Sequence, residues 1–151
     1  MDVDVEFQER YWYPDDGGEV WVAGYYPVDA TGRFLSREAL PDDLIVTHVA
    51  GAVHRKPALE SEEAAPGAPL TLRPEPDNPH DPNAVSVWDA EARAQAGYVP
   101  REQAADLAPR LAGLEAFALW EWRDEDGRRC GLRILVAPRD SLSERPRPLR
   151  D

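Results

Sequence analysis

The sequence predicts a mainly β fold with a small helical part: a partly closed barrel of about six short strands, preceded by an N-terminal β-hairpin. Three observations lead there. Runs of alternating or strand-forming residues recur along the chain, each bounded by Gly, Pro, Asn or Asp, as short half-buried strands are. One late stretch switches to helical spacing. Many short strands leave exposed edges, which closure removes. At 151 residues the chain has the length of one domain, and such a domain hides roughly two-thirds of its unfolded surface.

The elements follow in order. "VEFQERYWY" (5–13) and "EVWVAGYYPV" (19–28) are rich in strand formers, and "PDDGG" between them is a strong turn signal. Residues 1–43 are therefore an acidic, aromatic extension. A barrel domain is expected over 44–137, and a Pro- and Arg-rich tail with little to bury, expected to be disordered, over 138–151. "LIVTHVAGAV" (44–53) has strand composition, with Gly51 marking a bulge or a close backbone approach. "KPALESEEAAPGAP" (56–69) reads as a loop with room for one helical turn. "LTLRPE" (70–75), "AVSVWD" (84–89) and "AQAGYVP" (94–100) read as strands, the last two joined by a turn. In "REQAADLAPRLAGL" (101–114), Ala104, Leu107, Leu111 and Leu114 fall at helical spacing. Pro109 interrupts that pattern and predicts a kink or two short helices. "AFALWEWRD" and "RRCGLRILVA" then form a hairpin around "DEDG", with Cys130, Leu132, Ile134 and Val136 on one side.

Charge and motif content exclude several classes. The net charge is −12. Residues 1–43 hold 11 acidic and 3 basic side chains, a net of −8. Such a chain is unsuited to tight, sequence-independent nucleic-acid binding, which depends on neutralising phosphates, although a small basic pocket on an acidic body is compatible with it. The lone lysine, Lys56, follows an arginine, so no Walker-type phosphate loop can be built. Neither a nucleophile elbow nor a His-Glu-x-x-His helix occurs, and the chain is read as a non-enzyme without a cofactor. The single cysteine forbids an internal disulfide. His48, His54 and His80 could meet with Asp81 as a metal set, but their spacing does not pre-arrange them. No run of apolar residues approaches the ~18 that a membrane span needs, and the acidic start is unlike a signal peptide. A cytoplasmic protein is expected.

The segment "EPDNPHDP" (75–82) carries three prolines among Asp, Asn, Glu and His. Proline fixes its own φ and pushes its predecessor into extended conformations, which stiffens Glu75, Asn78 and Asp81. Asn and Asp further bond nearby backbone amides. From composition alone the loop is either a braced corner or a rigid grip.

"EPDNPHDPNAVSVW" (75–88) followed by "AGYVPREQAADLAPRL" (96–111) resembles the signature of the HIRAN domain family. There an Arg- or Glu-bearing strand enters Asn-Pro-aromatic-Asp-x-Asn-Ala, and a later strand ends in Gly plus an aromatic or His before a helix. The resemblance spans residue 44 to about 137 and implies an OB-like barrel that grips the 3′-hydroxyl end of single-stranded DNA. By that resemblance Asp81 would accept a hydrogen bond from the 3′-hydroxyl and Asn78 would read the terminal nucleotide. His80 stands at the aromatic position, and Tyr98 follows Gly97. Gly51 and His54 match the opposite wall, where Val53 occupies an arginine position and Arg55 and Lys56 supply nearby charge. Arg73, Arg55 and Lys56 would meet phosphate, while His80, His54 and Tyr98 stack on bases.

Two functions remain open at this point. One is a non-catalytic DNA-end-binding module, accessory to DNA repair or remodelling and working beside a helicase or nuclease, with no membrane partner. The other is a protein-interaction or regulatory module that keeps the barrel and uses its acidic aromatic surface. A third expectation concerns the hairpin: with its net charge of −8, it would repel nucleic acid if it folded over the pocket.

Overall fold

The computed structural model describes residues 4–15, 18–29, 31, 33, 40, 43–51, 62–123 and 128–141. Two long strands open it, β1 (Asp4–Asp15) and β2 (Gly18–Val28), followed by β3 (Ile45–His48) and a short 3-10 turn (Glu62–Ala64). Next come β4 (Pro69–Pro74), β5 (Val85–Asp89) and β6 (Gln95–Tyr98), then helix α1 (Arg101–Leu107) running into a 3-10 segment (Ala108–Gly113). β7 (Leu114–Arg123) and β8 (Arg129–Pro138) are the last elements among the described residues.

The expected mainly β, partly closed barrel is what forms. Six strands follow one another in the order β3-β8-β7-β4-β5-β6, every pair antiparallel. An isolated bridge between Ala50 and Tyr98 joins the two ends of that order. Ala50 N–H donates to the Tyr98 carbonyl at 2.7 Å and Tyr98 N–H returns the bond to Ala50 at 2.9 Å. Two backbones can meet there because residue 97 is glycine. A Cβ at Gly97 would lie 2.5 Å from the Ala50 carbonyl oxygen and 2.6 Å from Val49 Cγ1. The close approach expected at Gly51 is thus at Gly97. Gly51 instead has φ +73° with open space beside it, the left-handed conformation that favours glycine.

The barrel interior is filled by the inward members of each strand, among them Leu70, Val85, Val87, Ala96, Ala116, Ala118, Leu132, Ile134 and Val136. Each large aliphatic buried there contributes about 1.5–3 kcal/mol. Helix α1 adds Ala104 and Leu107 to the same cluster and so plugs the end of the barrel where β6 stops and β7 starts. Pro109 has no N–H to continue the α-helical ladder. The chain accordingly tightens into the 3-10 segment and breaks helical geometry at Arg110 (φ −125°), as the sequence predicted.

β8 is buried on both faces. Leu132, Ile134 and Val136 face inward, whereas Leu135 packs outside with Phe117 and Leu119, covered by Tyr25, Val46 and Trp120. That explains its nearly continuous apolar run, "LRILVA". Part of the cover comes from the hairpin, which is welded to the sheet. β2 pairs with β7 from Trp21↔Arg123 to Gly24↔Trp120. Gly24 is required at that junction because a Cβ there would overlap Trp120. β2 therefore occupies the far half of β7, while β4 pairs with Ala116 and Phe117 in the near half. The segment 75–84 lies beyond the opposite end of β4. The hairpin thus joins the barrel along the half of β7 that β4 leaves free.

At the β5–β6 turn, buried Asp89 accepts the N–H groups of Arg93 (2.8 Å) and Ala94 (3.2 Å). Burial pushes its carboxyl up, but these bonds and one with Glu63 outweigh that and hold it below the usual carboxylate range. Glu63 moves the other way, raised by its hydrogen bond to Asp89 and then by that group's charge.

Gly97→Ala is expected to lower stability by about 2 kcal/mol or more through overpacking at the ring closure. Gly113→Ala, with nothing within 4 Å of its Cβ, should stay within about 0.5 kcal/mol; urea denaturation reads both. Asp89's lowered pKa is stabilising above the unfolded value of about 3.9, and that share is lost as pH falls through the folded value. Asp89→Asn should therefore unfold at lower temperature at pH 7 and show a flatter acid limb than wild type in a pH series of melting curves.

Candidate functional site

The segment 75–84 is a corner braced by its own side chains. Glu75 N–H donates to the Ala84 carbonyl and Ala84 N–H to that of Asp81, so the ladder closes across the loop mouth. Asn78 is the central brace. Its Oδ1 accepts the N–H groups of His80 (2.9 Å) and Asp81 (3.1 Å), and its Nδ2 donates to Glu75 Oε1 at 3.0 Å. The Asn78 carboxamide is thereby committed to the loop. Asp81 Oδ1 accepts Asn83 N–H at 2.9 Å. Its Oδ2 faces Arg101 Nε at 3.8 Å, beyond hydrogen-bond reach.

The neighbours follow from strand register. Tyr98 pairs with Ser86 on β5, and Ser86 pairs with Arg73 on β4, so Arg73, Ser86 and Tyr98 form one row on the outer face. The Tyr98 hydroxyl donates to Glu75 Oε1 at 3.1 Å, tying the strand end to the loop. Past Tyr98, Val99 and Pro100 lead into α1, which delivers Arg101 beside Asp81. Ala50, bridged to Tyr98, brings Gly51 to the same end of the barrel.

The expected residues fall into three groups. Asn78, His80, Asp81 and Tyr98 are brought together, with His80 exposed at the loop tip. Arg73 is exposed on the adjoining outer face, its guanidinium 5.5 Å from the Trp88 ring centroid. His54, Arg55 and Lys56 lie outside the described residues, as does the "DEDG" turn. Among the described residues no group of three or more His, Cys, Asp or Glu side chains could hold a metal ion. His48 itself is exposed on β3.

Two members of the site escaped the residue-by-residue reading. Glu75 is the hub that receives both Asn78 and Tyr98; its position before proline and three residues ahead of Asn78 was the available signal. Arg101 is 79% exposed beside an Asp81 side chain that is 17% exposed. Such a lopsided surface pair adds little to stability, which leaves the guanidinium available to a ligand. Chemically, the site offers a carboxylate oxygen with no closer partner among the described residues, a cation beside it, and aromatic rings along the adjoining face. No helix among the described residues is long and apolar enough to cross a membrane.

Comparison with known proteins gives the same family as the motif. The HIRAN domain model matches residues 44–125. No curated protein matches the chain in sequence. Among solved structures, a protein from Lactobacillus plantarum is 22% identical with a TM-score of 0.46, over 60% of this chain and 89% of that one. The HIRAN domain of human HLTF is 20% identical with a TM-score of 0.45, over 64% of this chain and 77% of that one.

Asn78→Ala strands two backbone N–H groups and is expected to destabilise by about 1–2 kcal/mol, with faster amide exchange at His80 and Asp81. Asp81→Ala, which loses a single exposed N–H partner, should cost less than half as much. Thermal denaturation with amide exchange checks both.

Proposed function

The chain belongs to the HIRAN domain family, and we propose that it is a non-catalytic module that binds the 3′-hydroxyl end of single-stranded DNA. The observation that carries this reading is Asp81: a carboxylate on a rigid loop, with one oxygen bonded internally and the other turned toward Arg101. A terminal hydroxyl can donate to Oδ2. A terminal phosphate cannot donate there when ionised, and its charge is repelled. Hydrogen bonds to a charged group are worth about 1.5–3 kcal/mol, enough to discriminate the two ends by about tenfold or more.

The remaining parts have matching roles. Arg101 sits where the phosphate of the terminal nucleotide would pass. Tyr98 and His80 offer rings against bases, which stack with about 1–3 kcal/mol each. Asn78 acts indirectly, by holding the loop that presents Asp81. His54, Arg55 and Lys56 of the following segment complete the proposed set. The sequence contains no P-loop, so the module is accessory: it supplies end recognition to a helicase or nuclease partner in DNA repair or remodelling. Rigidity of the loop reduces the entropy lost on binding.

Fluorescence anisotropy at low salt with labelled single strands ending in 3′-hydroxyl or 3′-phosphate tests this. Wild type should prefer the hydroxyl end by about tenfold, and Asp81→Ala should abolish the preference. With four candidate cations at most, the slope of log K against log salt should be no steeper than about −3. Equal weak binding of both ends by wild type overturns the reading and favours a protein partner instead.

A further inference from the structure

Trp88 is a large aromatic side chain that the core does not use. It is half-buried on the outer face of β5 and belongs to none of the apolar clusters formed by the described residues. Hydrogen bonds hold it instead. Its Nε1 donates to Ser86 Oγ at 2.7 Å, and Ser86 Oγ donates to the Arg73 carbonyl at 3.2 Å. The indole is thus fixed in orientation over a buried serine, and an exposed arginine lies over its ring.

Its place is as informative as its anchoring. Trp88 is two residues from Ser86, whose cross-strand partner is Tyr98. It therefore lies about 7 Å along the strand from the Tyr98 row, on the same face and leading away from Asp81. The outer face of β7 and β8 is covered by Tyr25 and Val46; the β4–β5 face carries Thr71, Arg73, Ser86 and Trp88.

We propose that Trp88 and Arg73 form a second subsite that takes a base and a phosphate of the same single strand, one or more nucleotides inward from its 3′ end. The proposal rests on the end-binding reading given above and extends it in one direction across the sheet. The occupant is set by chemistry and continuity. A fixed indole face with a cation above it suits a base joined to phosphate, and Arg73 and Arg101 lie at the two ends of the path. Stacking contributes affinity without requiring a basic surface. On a chain of net charge −12, that is the available way to hold more than the terminal nucleotide. On binding, Arg73 moves from the ring to the phosphate, and the base takes its place.

Two substitutions separate stacking from support of the sheet. Trp88→Gln keeps an N–H donor for Ser86 and removes the ring, whereas Trp88→Phe keeps a ring and removes the donor. Anisotropy is measured with 5′-labelled thymidylates of two lengths, one and eight nucleotides, each ending in 3′-hydroxyl or 3′-phosphate. Wild type should bind the longer hydroxyl strand about tenfold more tightly than the shorter, the worth of roughly one stacked base. Trp88→Gln should lose that gain while keeping its preference for the hydroxyl end, and Trp88→Phe should keep most of both. Arg73→Gln should weaken the longer strand alone. A length gain that survives in Trp88→Gln, or that disappears in Trp88→Phe but not in Trp88→Gln, overturns the proposal. So does a wild type with hydroxyl preference and no length gain. Absence of hydroxyl preference in wild type defeats the end-binding reading itself, and this subsite with it.

Discussion

The structure depends on one backbone contact, the pair of hydrogen bonds between Ala50 and Tyr98. Without it the six strands form an open curved sheet whose β3 and β6 edges are exposed. With it, the ring closes around an interior of Val, Leu, Ile and Ala side chains. The contact needs two chains nearer than side chains allow, and Gly97 supplies the space. The same closure organises the candidate site. It brings Ala50 and Gly51 to the end of β6, and the hydrogen bond from Tyr98 to Glu75 ties the bridge to the loop after β4.

β7 is the other organising element, because it serves neighbours on both edges. β8 pairs with it along its length, while β4 and β2 share the opposite edge in succession. A register shift between Ala118 and Trp120 accompanies the change of partner, and such bulges alter the side to which later residues point. Beyond it, Glu121 is buried and bonded to Arg129 and to Arg123. Buried charges persist when they are paired and hydrogen-bonded, and this cluster lies beside the β2 junction. Two glycines opposite tryptophans serve this junction: Gly24 lets the β2 backbone approach that of Trp120, and Gly131 leaves room for the Trp122 ring. The acidic hairpin is in this way part of the sheet.

The electrostatic difficulty of an acidic chain binding DNA becomes smaller at this scale. Phosphate neutralisation over a broad surface is what the net charge disfavours. A site of the proposed kind, which would read a hydroxyl with a carboxylate and hold bases on rings, needs few cations, and Arg73 and Arg101 are both exposed. Two carboxylates near them are hydrogen-bonded, Glu75 with Asn78 and Tyr98, and Asp81 through one oxygen with Asn83. Repulsion from exposed charges farther off is weakened by screening, whose length is about 8 Å at physiological salt.

How much was legible in the sequence differs by scale. The strands β4 to β8, the kink at Pro109 and the rigid loop were readable because each follows from local chemistry: alternation, a missing N–H, fixed φ before and after proline. The motif around Asn78, Asp81 and Gly97 also identified the family. Partnerships between distant residues were not readable. Nothing local assigns the close approach to Gly97 rather than Gly51, ties Tyr98 to Glu75, or sets Arg101 beside Asp81 across 20 positions. Nor does it place Trp88 outside the core, since an alternating strand does not reveal which face is covered. The sequence by itself determined the elements, their turns and the chemical vocabulary of the loop, because those depend on neighbours along the chain. Ring closure, the hairpin's attachment to the far half of β7 and the convergence of Glu75, Asp81, Tyr98 and Arg101 were decided by tertiary structure, because they depend on register between strands that meet only when the barrel closes.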